Sequence, residues 1–238
     1  MELRKRFGHL ILPRLIVLLF PSLFIPAIFL ISEAKGNRMI KLPKPKLKGE
    51  ISLEEAINRR SSVRSYSAKP LTLAQLSQLL WAACGQRFDA ATEASRTIPS
   101  AGALYPLEIF ILVGKVEDLS KGFYQYHHID HSLELLKKED LREVLSSSAW
   151  GQDFLAQAPV DLIVAAEPSR TTDVYGKKGE RYIQIEVGHL AQNVYLQAEA
   201  LGLSTCAVGA FDDDEVARIL GFEKNLIPLY ILPLGHRR

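Results

Sequence analysis

Arg59, Arg60 and Arg64 bracket Ser61 and Ser62 within six residues. A guanidinium is a planar fork, charged at every working pH, that grips phosphate oxygens two at a time. Serine hydroxyls fill the oxygen contacts that arginine leaves open. So dense a set reads either as a clamp for a phosphorylated cofactor or as a solvated basic turn. A second stretch, Pro99-Ser100-Ala101-Gly102-Ala103-Leu104-Tyr105-Pro106, holds small residues between two prolines. With little side chain in the way, its backbone N–H and C=O groups can approach a flat ligand and read its edge. The plain alternative is a tight connection into the strand that follows.

Other chemistries lack their residues. There is no Walker-type phosphate loop, and no Gly-x-Gly-x-x-Gly after a strand, which argues against a dinucleotide-binding Rossmann domain. A Gly-x-Ser-x-Gly elbow is missing, as is a helical His-x-x-x-His zinc pair. His127, His128 and His131 fall in one hairpin turn and read as surface histidines rather than metal ligands. Cys84 lies in an apolar run and Cys206 among small residues, so both read as buried small hydrophobes. No pair has metal-ligand spacing.

The elements that must position these residues can be read from periodicity and punctuation. Ser52 and Glu55 form a capping box that opens a helix leading into the Arg/Ser cluster. Residues 71–83 form a second helix, preceded by Pro70 and stopped by Gly85. A polar loop over 86–98 leads to the small-residue stretch. Strands are expected at 107–113, 123–126, 132–136, 160–166, 205–209 and 228–234. Short helices are expected at 139–148, 150–157 and 212–220, and a long one at 183–201 ending at Gly202. Mixed elements with antiparallel hairpins argue for an α+β fold.

Charge divides the chain. Residues 1–50 hold ten Lys/Arg against three Asp/Glu, leaving nineteen against twenty-four in residues 51–238. The mildly acidic bulk gives no sign of a nucleic-acid partner. Basic residues up to Arg14 precede an apolar run at 15–31 that Pro21 and Pro26 interrupt, and Ser32-Glu33-Ala34 resembles a cleavage site. Residues 1–34 therefore read as a signal peptide or an N-terminal membrane anchor, the membrane contact being confined to that segment. The main domain would then be exported or anchored, on the far side of the membrane. Residues 35–50 read as a Lys/Pro-rich linker, and 51–238 as the folded domain.

Taken together, Arg-x-Ser-x-Arg-x-aromatic, the Pro-Ser-Ala-Gly-Ala-Leu-Tyr-Pro stretch, Glu186-Val187-Gly188-His189 with Gln192-Asn193, and Gly209-Ala210-Phe211-Asp212 resemble the FMN-dependent nitroreductase superfamily. The SagB/ThcOx-type dehydrogenase branch is the nearest match. The resemblance runs in order over 51–235. It implies a mixed, mainly antiparallel sheet surrounded by helices, in an intertwined homodimer with FMN at the interface. On that reading Arg60, Ser61, Ser62 and Arg64 hold the FMN phosphate and ribityl chain, with Arg59 as an extra surface arginine. Pro99, Ser100, Ala101 and Ala103 lie beside the isoalloxazine. Gly209 and Ala210 present backbone N–H toward its N5 region, and Arg237 adds a second phosphate contact.

One departure matters. Azole-forming members carry a Lys-Tyr pair, and here the segment is Val174-Tyr175-Gly176. Tyr175 is left as the catalytic candidate, either a general acid or a stacking residue, with Tyr105 and Arg181 on the substrate side. The expected activity is an FMN-dependent oxidoreductase that moves hydride through flavin N5, to or from a small or peptide-derived substrate. The alternatives are an NAD(P)H-dependent nitro- or quinone reductase, and a flavin-binding protein without turnover.

Overall fold

The computed structural model describes residues 39–88 and 95–238. The leader expected in residues 1–34 lies outside them. Among the described residues, no helix is long and apolar enough to cross a membrane.

Seven strands form one sheet: β1 (Met39–Lys41), β2 (Leu107–Val113), β3 (Gly122–His127), β4 (Ser132–Lys137), β5 (Val160–Ala166), β6 (Ser204–Thr205) and β7 (Ile227–Gly235). Their order is β1-β4-β3-β2-β5-β7-β6, and every ladder between them is antiparallel. Isolated parallel bridges join Ser62 to Thr205 and Leu71 to Val116. The helices are α1 (Leu53–Arg59), α2 (Leu73–Cys84), α3 (Arg142–Ser148), α4 (Phe154–Gln157), α5 (Ser169–Tyr175), α6 (Lys178–Ala200) and α7 (Asp213–Leu220). The α+β expectation from the sequence therefore holds.

Central β5 explains the layering. All seven of its residues are buried, as in a strand covered on both faces. Leu162 and Val164 join a core with Leu76, Leu80, Leu190 and Val194 from α2 and α6. Ile163 and Ala165 turn the other way, toward Leu145 of α3 and Val216 and Leu220 of α7. This strand also carries Asp161, which is fully buried and has no hydrogen-bond partner on either carboxylate oxygen.

Local chemistry fixes the helix starts. Ser52 Oγ accepts the Glu55 N–H at 3.1 Å, which is the N-cap half of the expected capping box, while the Glu55 carboxylate pairs with Arg59. Thr72 and Gln75 build a reciprocal box at the start of α2. Asp212 caps α7, and Gly221 ends it in the left-handed region at φ 76°.

Four elements differ from the sequence reading. Met39–Lys41, expected within the linker, is an edge strand paired with β4; three residues between lysines and prolines are too short for an alternation signal. Nothing in the sequence reading marked α5. The long helix starts at Lys178 rather than at 183, because its polar first turn hides it from a hydrophobic count. The strand expected over 205–209 is reduced to Ser204–Thr205 plus a bridge from Val208 to Ile231. The hairpin histidines are also more engaged than expected. His131 lies between Tyr126 Oη at 2.8 Å and Ser77 Oγ at 2.7 Å, tying β3 to α2. Both cysteines are buried and free.

Candidate active site

The Arg/Ser cluster leaves α1 as an extended segment and is pinned from two directions. Val63 N–H donates to Thr205 O at 3.0 Å. Further on, Ser67 N–H donates to His236 O at 2.9 Å, Tyr66 bridges Arg237, and Arg238 N–H donates to Ser65 O at 3.3 Å. The C-terminal tail is thus paired backbone, and it carries Arg237 alongside the residue 62–66 segment. Tyr195 of α6 completes the arrangement. Its hydroxyl accepts the Ala207 N–H at 2.7 Å and shares a hydrogen bond with Ser62 Oγ at 2.9 Å. The Arg60 guanidinium sits over its ring, 5.3 Å from the centroid. Arg59 is engaged elsewhere, paired with Glu55 one helical turn back. Among the described residues, Arg60, Arg64 and Arg237 have no carboxylate partner, so their charge is uncompensated. Ser61, Ser62, Arg64 and Arg237 are all exposed.

The second loop docks on the N-terminal half of α6. Pro99 leads into a single 3-10 turn, Ala101–Ala103, in which Gly102 takes φ 62° and Ala103 φ 54°. Ser100 anchors it. Its Oγ accepts the Tyr105 N–H at 2.9 Å and donates to Glu186 Oε2 at 2.6 Å. Glu186 is 3% exposed, and its Oε1 has no partner. Burial pushes this carboxyl up to about 6, opposed by the Ser100 hydrogen bond and by Arg96. A cavity of about 280 Å³ lies here, lined by Pro99, Ser100, Ala101, Tyr182, Glu186 and His189. A Cβ at Gly102 would come within 2.8 Å of Tyr175 Oη, so the small residue is what admits that tyrosine. Tyr175 meets Tyr182 edge-on at 5.2 Å, and Arg181 covers the Tyr182 ring at 5.7 Å. Tyr175 and Arg181 are therefore gathered beside the 99–103 loop.

Tyr105 goes elsewhere. It is buried, its hydroxyl accepts the Arg96 N–H at 3.2 Å, and the Arg96 guanidinium covers its ring at 4.4 Å. It lines a separate cavity of about 560 Å³ with Arg96, His128 and Arg170. Gly209 and Ala210 form an exposed loop after β6. A Cβ at Gly209 would press the Tyr230 ring at 3.2 Å, and Ala210 O accepts a hydrogen bond from Gln152 Nε2 at 2.8 Å. Sequence reasoning assigned no role to Tyr195 or to the Glu186 side chain. Tyr195 carries no local signal, since only the fold brings it to Ser62. For Glu186 the signal was available: an acid on the buried face of an amphipathic helix, among apolar residues at helical spacing.

Among the described residues, no group of acids, histidines and cysteines could hold a metal ion. What the site offers is an arginine cradle, an exposed glycine loop and a buried acid beside a small-residue turn. That combination suits a flat, phosphorylated organic cofactor. Comparison with known proteins agrees with the fold. Residues 57–236 match the model of the nitroreductase family, and the chain belongs to that family. It is an oxidoreductase of the flavin-using kind. A protein of Methanocaldococcus jannaschii, provisionally named nitroreductase MJ1384, is 45% identical over 188 residues, or 79% of this chain and 92% of that protein. The microcin B17-processing protein McbC of Escherichia coli is 26% identical over 59% of this chain, and the match spans only 54% of McbC. A crystal structure of a nitroreductase-type protein from Ralstonia eutropha superposes with a TM-score of 0.74 at 29% identity, covering 84% of this chain and 90% of that one.

Proposed function

We propose that this chain is an FMN-dependent oxidoreductase of the SagB-type branch, acting on a small or peptide-derived substrate. The meeting of Arg60 and Ser62 at Tyr195, with Arg64 and Arg237 on the adjoining paired segments and no carboxylate partner for any of the three arginines among the described residues, carries the reading. A phosphate monoester satisfies such a set: two negative charges meet three guanidiniums, and serine hydroxyls take the remaining oxygens. The orphaned Glu186 Oε1 beside the Pro99–Ala101 turn supports a ligand with hydrogen-bonding edges. When bound, a flavin supplies hydride chemistry through its ring. The chain's own residues do the rest. Arg60, Ser61, Ser62, Arg64 and Arg237 hold the phosphate and side chain. Pro99, Ser100, Ala101 and Ala103 shape one side of the ring site. Gly209 and Ala210 bring exposed backbone N–H groups to the other. Tyr175 offers a phenolic proton at its Oη, with Arg181 next to it.

The clamp meets the C-terminal half of α6 and the 99–103 loop its N-terminal half. Glu186 and Tyr195 are nine residues apart, about 13 Å along a helix. Among the described residues, none of the larger cavities is lined by both sets. This supports the homodimer, in which a second copy completes the site. The apolar groove of about 550 Å³ between α1, α2 and α6 fits that role. Leu53 and Phe88 of its lining stand exposed, and Ile57 is exposed on α1 nearby in sequence. Export or membrane anchoring through residues 1–34 remains part of the proposal.

Val174 at the position of the azole-forming lysine favours a second reading, a general NAD(P)H-dependent nitro- or quinone reductase. Anaerobic bleaching of the purified yellow protein by NADPH, with recolouring by a nitroaromatic, would select it. Bleaching by an azoline-containing peptide without nicotinamide would select the first. A flavin that neither class of reagent reduces would leave a binding protein without turnover. The clamp is tested by Arg60→Ala combined with Arg64→Ala. Each charge-assisted hydrogen bond is worth roughly 1.5–3 kcal/mol, so FMN affinity should fall by about 100-fold or more in a protein that still folds. Wild-type flavin content in that double variant would refute the assignment.

A further inference from the structure

Trp150 is a bulky aromatic residue that the fold leaves in solvent. It is 71% exposed, between buried Ala149 and exposed Gly151, in the turn that follows α3. Its backbone sits in the left-handed region at φ 54°, where a side chain of this size is disfavoured. A tryptophan that contributes nothing to the core and occupies a strained position calls for another reason. The other tryptophan, Trp81, has one: its indole N–H donates to Gln86 O at 3.0 Å and its ring stacks on Phe88.

The position of the turn supplies that reason. Two residues before Trp150, Ser148 O accepts the Asp212 N–H at 3.0 Å. Two residues after it, Gln152 Nε2 donates to Ala210 O at 2.8 Å and to Ala149 O at 3.0 Å. Trp150 is therefore bracketed on both sides by bonds to the Ala210–Asp212 segment. It stands at the rim of the same Gly209–Ala210 loop that the proposed function sets against the cofactor ring. A Cβ added at Gly151 would meet nothing within 4 Å, so the turn itself is uncrowded.

We propose that Trp150 is the substrate-stacking, specificity-determining residue of this site, and that it selects planar aromatic or heteroaromatic substrates. The inference rests on the flavin reading above. Its chemistry is simple. An indole face offers a large, rigid contact to a flat ring and much less to a puckered one, and stacking of this kind accounts for roughly tenfold in affinity. The left-handed turn leaves the indole exposed, on the segment bonded to Ala210 and Asp212.

The test is equilibrium binding to the oxidised, FMN-loaded protein with no hydride donor present, so that nothing turns over. The probes are 2-naphthoate and its saturated analogue decahydro-2-naphthoate, which share charge and outline but differ in planarity. Trp150→Ala should weaken 2-naphthoate about tenfold and leave the saturated analogue within twofold. Trp150→Phe should restore most of the loss. Trp150→Gly, which relieves the positive φ, should show the same selectivity loss as the alanine variant with equal or higher thermal stability. Reoxidation of the reduced protein should show a raised half-saturating concentration for 1,4-benzoquinone, an unchanged limiting rate, and unchanged reaction with dioxygen. Equal 2-naphthoate affinity in wild type and Trp150→Ala would overturn the inference, as would a parallel loss for both probes. A changed oligomeric state with unchanged affinity would assign the indole to an interface and overturn it too. Flavin content is read first. A wild-type protein that takes up no FMN removes the proposed function and this inference with it, whereas intact flavin with indifferent binding removes only the role of Trp150.

Discussion

Replacing Glu186 by glutamine isolates the cost of the buried acid beside the 99–103 turn. The carboxyl is pushed up to about 6 from its ordinary 4.5, first by burial, with the Ser100 hydrogen bond and Arg96 opposing. The folded protein therefore holds this proton more tightly than the unfolded chain. Its contribution is fully present below about pH 4.5 and is lost as pH rises to about 6, after which stability stays flat. The loss is the shift of about 1.5 pH units at 1.36 kcal/mol each, or about 2 kcal/mol. Glu186→Gln keeps an acceptor for Ser100 Oγ and does not titrate. The difference in stability between the variant and wild type should therefore move by about 2 kcal/mol in the variant's favour between pH 4.5 and pH 7. For a domain of this size that is roughly 4–8 °C in melting temperature. Thermal and urea unfolding of the flavin-free protein at half-unit pH steps would measure it. Wild-type and variant profiles that stay parallel across pH 4.5–6 would show that Glu186 does not titrate there, and the account of its burial would be wrong.

Two further outcomes follow from the same kind of accounting. Tyr195→Phe keeps the ring under Arg60 but removes the hydroxyl that holds Ser62 and the Ala207 N–H. Stability should fall by about 1–2 kcal/mol in urea, and FMN affinity by roughly 3- to 10-fold in a titration; unchanged affinity would detach Ser62 from the cofactor site. Asp161 is held well above the usual carboxylate range by burial, with Arg142 opposing. The folded state keeps its proton while the unfolded chain releases it above about 3.8, so stability falls as pH rises from there. Asp161→Asn should therefore be near-neutral at pH 3.5 and stabilising at pH 7, and the reverse order in unfolding experiments would contradict the burial argument.

The sequence exposed what is local and hid what is assembled. Capping by Ser52 and Asp212, the near-continuous apolar run of β5 and the glycine stop after α7 all act within a few residues, and each was legible. Met39–Lys41 was not, because an edge strand takes its stability from β4, ninety residues away, rather than from its own pattern. The polar start of α6 escaped notice because its first turn packs on α5, which itself has no side-chain N-cap and only one buried residue to announce it. The site follows the same rule. Arg60, Ser62 and Arg64 were readable as a set because they are contiguous. Their meaning depends on Arg237 and Tyr195, which β-bridging of the tail and one turn of α6 bring to them. Tyr105 shows the converse. A small-residue loop leading into a strand suggested that its aromatic residue faced the ligand, yet the positive φ of 45° at Tyr105 and the hydrogen bond of its amide to Ser100 turn the ring under Arg96. Local composition marked the loop proposed to meet the cofactor. Which of its side chains enters that site is decided by backbone conformation, and three residues at positive φ between 102 and 105 override the alternation a strand would impose. A single long helix then sets the spacing of the two half-sites, so any change that shifts α6 along its axis should disturb the Ser62–Tyr195 and Ser100–Glu186 hydrogen bonds together.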